Sequence, residues 1–162
     1  FKQLQELHGN DKVTSLRLHS IQHYVPFVDW IYADLLEWIQ AEQIPLWISL
    51  PDTPTTELIP ILKTFPKLKV VFVGAHYVDA MLVRPLLKNM VGSYLELSRY
   101  EVLGELEDLK EEFGVERFLY GSYYPRLAMG PMLFYIHRIG LSSDELEAVC
   151  GKTLEKILAG AG

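Results

Sequence analysis

Arg117-Phe118-Leu119-Tyr120-Gly121-Ser122-Tyr123-Tyr124-Pro125 is the stretch that decides the fold. An apolar run ends in Gly-Ser, two tyrosines and a proline, and a helical pattern then takes over. That order predicts a buried parallel strand whose carboxyl end opens into a loop. In barrels and in doubly wound sheets alike, chemistry gathers at that end of the strands.

Working outward, four more short apolar runs precede it. Tyr94 to Leu97 is predicted as a strand, ending in Ser98-Arg99-Tyr100-Glu101. Leu68 to Ala75 is continuous in valine, phenylalanine and leucine, as a strand buried on both faces should be. Ile44 to Leu50 is another, broken by Pro51-Asp52-Thr53-Pro54, where Thr53 suits an N-cap and Pro54 the first helical position. Val13 to His19 is the first strand, with Leu16 and Leu18 on one face and Arg17 and His19 on the other. Helical spacing lies between these runs. Phe1, Leu4 and Leu7 open the chain, and Ile31, Leu35, Trp38 and Ile39 form an i, i+4, i+7, i+8 stripe. Val78, Met81, Leu82 and Leu86 mark one helix, and Val102, Leu106, Leu109 and Phe113 another, stopped by Gly114. Leu127 to Ile139 reads as helix despite Gly130 and Pro131. Ser142 and Glu145 form a capping box for a last helix reaching about Leu158.

Strands and helices alternating at this spacing imply βαβ units and parallel strands. The chain is expected to be one α/β domain over residues 1–162, with no linker or low-complexity segment. Two architectures fit: an open doubly wound sheet, or about five strands of an eight-stranded barrel with flanking helices. A free part-barrel would leave raw strand edges, which proteins avoid. The chain begins at Phe1, inside a helical pattern, so an upstream portion is expected to be missing.

The 162 residues are 49% hydrophobic and 22% charged, values of an ordinary globular chain. A net charge of −6 disfavours nucleic acid or an anionic membrane as the main partner. No apolar run approaches a membrane span, and no signal-peptide pattern opens the chain. The single cysteine, Cys150, has no partner for an internal disulfide, which suits a cytoplasmic location. Its place on the apolar side of a helix predicts a core residue. Neither Gly-x-Gly-x-x-Gly nor a P-loop is present, and Ser49 and Ser122 lack a Gly-x-Ser-x-Gly elbow.

Three stretches together resemble amidohydrolase-related proteins (family 2), metal-dependent TIM-barrel hydrolases and decarboxylases. They are Arg17-Leu18-His19 followed by a helix and Ile44-Pro45-Leu46-Trp47-Ile48; Phe65-Pro66-Lys67-Leu68-Lys69-Val70-Val71-Phe72; and Arg117 to Ser122 with Val149 to Leu158. The resemblance implies strands four to eight of the barrel, with a metal-binding His-x-His in the missing amino-terminal part. It also implies metal-ligand histidines where Ser49 and Gly74 stand, a catalytic aspartate where Tyr123 stands, and an asparagine at Thr153. The chain thus resembles a ligand-poor branch of that family. Zinc or manganese is expected only if the missing portion supplies donors, and no metal ligand is assigned here.

The implied activity is hydrolysis or decarboxylation of a small organic acid or amide. The alternatives are a barrel that binds an anionic small molecule without catalysis, and a structural partner, either a homo-oligomer or a chain paired with the missing half. Arg17 and His19 point one way from a strand whose other face is aliphatic; if that face is the barrel interior, Arg17 suits a bidentate carboxylate clamp, and otherwise a structural ion pair. His76, two residues beyond Gly74, suits a shifted base or a loop histidine. Arg99 suits a ligand contact or a loop pinned to Glu101. Tyr123 suits a pocket wall or a plug.

Overall fold

The computed structural model describes residues 1–10 and 12–160. Five strands, β1 (Leu16–Leu18), β2 (Leu46–Ser49), β3 (Val70–Val73), β4 (Ser93–Glu96) and β5 (Phe118–Leu119), form one sheet. All neighbours run parallel, in the order β1-β2-β3-β4-β5. A doubly wound sheet reverses its strand order at a switch point. Here the order follows the chain without reversal, as along the wall of a barrel.

Helices α1 (Lys2–Gly9), α2 (Ser20–His23), α3 (Asp29–Ala41), α4 (Thr55–Thr64), α5 (Ala80–Asn89), α6 (Glu105–Phe113) and α7 (Gly130–Ile136) alternate with the strands. Then α8 (Ser143–Glu147) passes through a π-helical turn (Ala148–Lys152) into α9 (Thr153–Ala159). The Ser142–Glu145 capping box forms as expected, the Glu145 carboxylate accepting from the Ser142 amide at 2.7 Å.

Alternation along the strands sorts side chains into two layers. Leu46, Ile48, Val70, Phe72, Leu95 and Phe118 point outward into the main core under the helices. Trp47, Val71, Val73, Tyr94 and Leu119 point inward. In a closed barrel, opposing strands would cover that inner layer. In this chain α9 covers it, with Leu154 and Ile157 against Val71, Val73 and Leu119. The helix runs from the carboxyl ends of the strands toward their start, where the Lys69 ammonium reaches the Gly160 carbonyl at 3.5 Å. All four residues of β3 are therefore buried, the outer pair under helices and the inner pair under α9. At the free side of β5, the Tyr120 amide donates to the Val149 carbonyl in the π turn, which blunts that edge. No strand lies beside the outer edge of β1 among the described residues.

Four local expectations change. The α3 stripe turns by one residue, with Leu36 and Ile39 fully buried while Ile31 is exposed. Tyr32 packs on Phe27, and Trp38 faces Phe1 and His8 of α1, so α1 takes up the flank that the stripe assigned to the sheet. Thr53 does not cap α4; its residue is buried, and Pro54 is the N-cap, so the helix begins at Thr55. Ser20–His23, the start of a polar stretch that reads in sequence as a loop from Ser20 to Pro26, is a short helix. Cys150 is exposed, not core. In the π turn Val149 is buried while Cys150 is exposed and lines the cavity at the carboxyl ends of the strands.

Candidate functional site

The strands end around one cavity of about 580 Å³ on the inner face of the sheet. Register explains which side chains reach it. Arg17, Trp47, Val71 and Tyr94 are laterally paired in one row. One layer higher, Ser49 pairs with Val73 and Glu96 with Leu119, and His19 lies one step beyond the Leu18–Ile48 pair. Above them the loops after β2, β4 and β5 bring in Asp52, Arg99, Tyr123 and Arg126.

Of the residues singled out in the sequence, Arg17, His19, Arg99 and Tyr123 all line this cavity, as do Ser49 and Gly74. His76 does not. It lines a neighbouring cavity of about 320 Å³, with Ser98 and Arg99 in the wall between the two. Its ring packs on Tyr77 at 4.2 Å, and its amide donates to Asp79 at 2.8 Å. Gly74 adopts φ +70, the left-handed conformation natural to glycine, and Tyr123 adopts φ +57. The tyrosine holds that conformation at a cost of about 1–3 kcal/mol, a form of strain that clusters at ligand sites.

Tyr123 gathers two cations. The Arg99 guanidinium lies 5.2 Å and the Arg126 guanidinium 5.8 Å from the centre of its ring, and Arg126 also donates to the Tyr123 hydroxyl at 3.2 Å. Arg17, Arg99 and Arg126 form no ion pair with a carboxylate among the described residues. Arg84, outside the cavity, pairs with both Glu105 and Glu112. The His19 Nδ1 and the Tyr120 hydroxyl, both on cavity-lining residues, are buried with no partner among the described residues.

Sequence reasoning missed Glu96. Its carboxylate stands on the inner face of β4 and accepts from the Ser98 hydroxyl at 2.8 Å and the Ser98 amide at 3.2 Å. Gly121 makes room for it: a Cβ at 121 would come within 1.2 Å of the Glu96 Oε1. Burial pushes the Glu96 carboxyl above the ordinary carboxylate range, outweighing the Ser98 bonds, the Gly74 amide and the Arg17 charge, which all pull it down. The folded state therefore holds this proton more tightly than the unfolded chain does. The stabilisation is complete below the ordinary glutamate range and is lost as pH rises through the raised value. An alternating strand pattern hid the residue, because polar-inward and polar-outward positions read alike in a sequence.

The donors present do not fit the metal site that the resemblance implies. Ser49, Gly74 and Tyr123 stand where two histidines and an aspartate would, and among the described residues no three His, Cys, Asp or Glu side chains come together to hold an ion. Among the described residues, no helix is long and apolar enough to cross a membrane.

Comparison with known proteins decides the fold. No family model and no curated protein matches the chain. The chain is similar to the crystal structure of an uncharacterised TIM-barrel protein from Bordetella bronchiseptica, at 19% identity with a TM-score of 0.78. This chain has a TIM-barrel fold. The match takes in 99% of this chain and 62% of that one, so the barrel segment spans about three fifths of that protein's length. The cavity thus lies at the carboxyl ends of barrel strands, where sites in this fold are built.

Proposed function

We propose that the mouth of this barrel segment binds a small organic anion, a carboxylate held by guanidinium groups. One observation carries the reading: three arginines, Arg17, Arg99 and Arg126, converge on one cavity without carboxylate partners among the described residues, in a chain of net charge −6. Cations left unpaired among 21 acidic residues are placed for a ligand that brings its own charge. The partnerless His19 Nδ1 adds a polar contact in the same wall.

The test is thermal melting with succinate, citrate and benzoate. A carboxylate at a hundred times its Kd stabilises by about 2.7 kcal/mol, a shift of roughly 5–10 °C for a chain of this size. Arg17→Met is expected to weaken binding about 10- to 100-fold, the value of a charge-assisted hydrogen bond. Melting curves indifferent to every carboxylate would sink the reading.

A second reading, hydrolysis or decarboxylation of a small organic acid or amide, is favoured by Glu96. A carboxyl with raised proton affinity in a cleft that a histidine also lines is a candidate acid or base. On this reading Glu96→Gln abolishes turnover by the full-length protein while anion-induced stabilisation survives. Turnover that persists in the variant counts against it.

A further inference from the structure

We propose that this cavity takes up its anion together with a proton, and that Glu96 carries the proton. The inference rests on the anion-binding reading and adds what that reading leaves open: how a site with an acid built into it accepts a negatively charged ligand.

The geometry sets the conflict. Glu96 and Arg17 line the same cavity, in adjacent rows of the inner face, without forming a direct ion pair. The Glu96 side chain is not free to leave. Ser98 holds it with a hydroxyl and an amide, and Gly121 receives it in a gap that any Cβ would fill. A carboxylate ligand clamped by Arg17 therefore arrives near a second carboxylate that is fixed in place. It also claims the positive charge that eases Glu96's ionisation. Two like charges sharing one site push one of the pair to protonate. Neutral Glu96 still accepts from Ser98 and gains an O–H to offer the ligand. Burial already favours the protonated form, so burial and ligand act in the same direction.

Other groups face the same space, and each has a definite part. Arg17 and His19 project from β1, Asp52 follows β2, Arg99 follows β4, Tyr120, Tyr123 and Arg126 follow β5, and Cys150 comes from the π turn. The arginines stay charged throughout. His19 supplies the imidazole of this wall, and Asp52 is the other carboxyl. Among the described residues of the cavity wall, Glu96 is the acid held by a glycine gap and two hydrogen bonds.

The experiment is isothermal titration of the full chain with succinate between about pH 5 and pH 8, in buffers of different ionisation enthalpy. This counts protons taken up on binding. Wild type is expected to take up protons with succinate, up to one each, over the pH range in which the empty site holds Glu96 ionised and the filled site holds it protonated, with affinity rising as the solution is acidified across that range. Glu96→Gln is expected to take up none and to bind at neutral pH as tightly as wild type does in acid. Gly121→Ala keeps the acid but displaces it, and is expected to lose most of the uptake. Uptake that survives in Glu96→Gln and vanishes in His19→Asn overturns the assignment. Binding by wild type with no proton uptake overturns it while leaving the anion site standing. An absence of binding by succinate, citrate or phosphate at any pH removes the anion reading itself, and this inference with it.

Discussion

Arg117→Met is expected to lower the unfolding free energy by roughly 3–5 kcal/mol. The guanidinium donates to the Ser93 carbonyl, to the Leu87 and Met90 carbonyls at 3.0 and 2.9 Å, and to the Ser93 hydroxyl at 2.9 Å. One side chain thus satisfies the end of α5 and the start of β4 from the start of β5. Burial lowers its proton affinity, yet guanidinium stays charged, so the cation remains and must be hydrogen-bonded. Methionine fills similar volume but withdraws the donor from the Leu87 and Ser93 carbonyls, each costing about 1–3 kcal/mol where water cannot reach, while the Met90 carbonyl keeps the Ser93 amide and hydroxyl. Urea titration should show a lower midpoint with an unchanged slope. Arg117→Lys should recover only part, because one ammonium cannot reproduce a planar fork serving several acceptors. A loss below about 1 kcal/mol for the methionine variant would mean that water replaces the guanidinium, and the strut reading would go.

Ile157→Asp is expected to cost at least as much. Ile157 is 2% exposed and packs through α9 on Val71, Val73 and Leu119. Removing the aliphatic side chain alone, as in Ile157→Ala, should cost about 2–5 kcal/mol. Aspartate adds an unpaired carboxylate against an apolar layer, which is worse than a void. Leu154, one turn earlier, belongs both to this layer and to the cavity wall, so a lifted α9 also opens the anion site. Melting temperature should fall, binding of a hydrophobic dye should rise, and carboxylate-induced stabilisation should disappear together. A variant that melts like wild type would show that α9 does not cover the inner face in solution.

The readable part of this protein was its periodicity. The apolar runs around Leu46, Val70, Leu95 and Phe118, with helical spacing between them, specify parallel strands and crossovers, because burial on both faces demands unbroken apolar residues. Arg17 and His19 could be placed on one face of β1 because a strand alternates strictly. Arg99 and Tyr123 could be placed at strand ends because polar and proline-rich breaks mark where strands stop.

Other features depend on contacts between residues far apart in the chain. Glu96 was indistinguishable from any outward glutamate until β5 brought Gly121 over it. Cys150 is exposed where the cavity opens over the π turn, a feature set by how that turn meets the strand ends. The sequence by itself determined five parallel strands, their helices and the end of the sheet where a site would lie, since hydrophobic alternation is local chemistry. Only the tertiary structure decided that α9 covers the inner face, that His76 faces a separate cavity, and that Glu96 shares a cavity with three arginines lacking carboxylate partners among the described residues. Those outcomes rest on sheet register and on packing across the fold, which no single stretch of chain encodes.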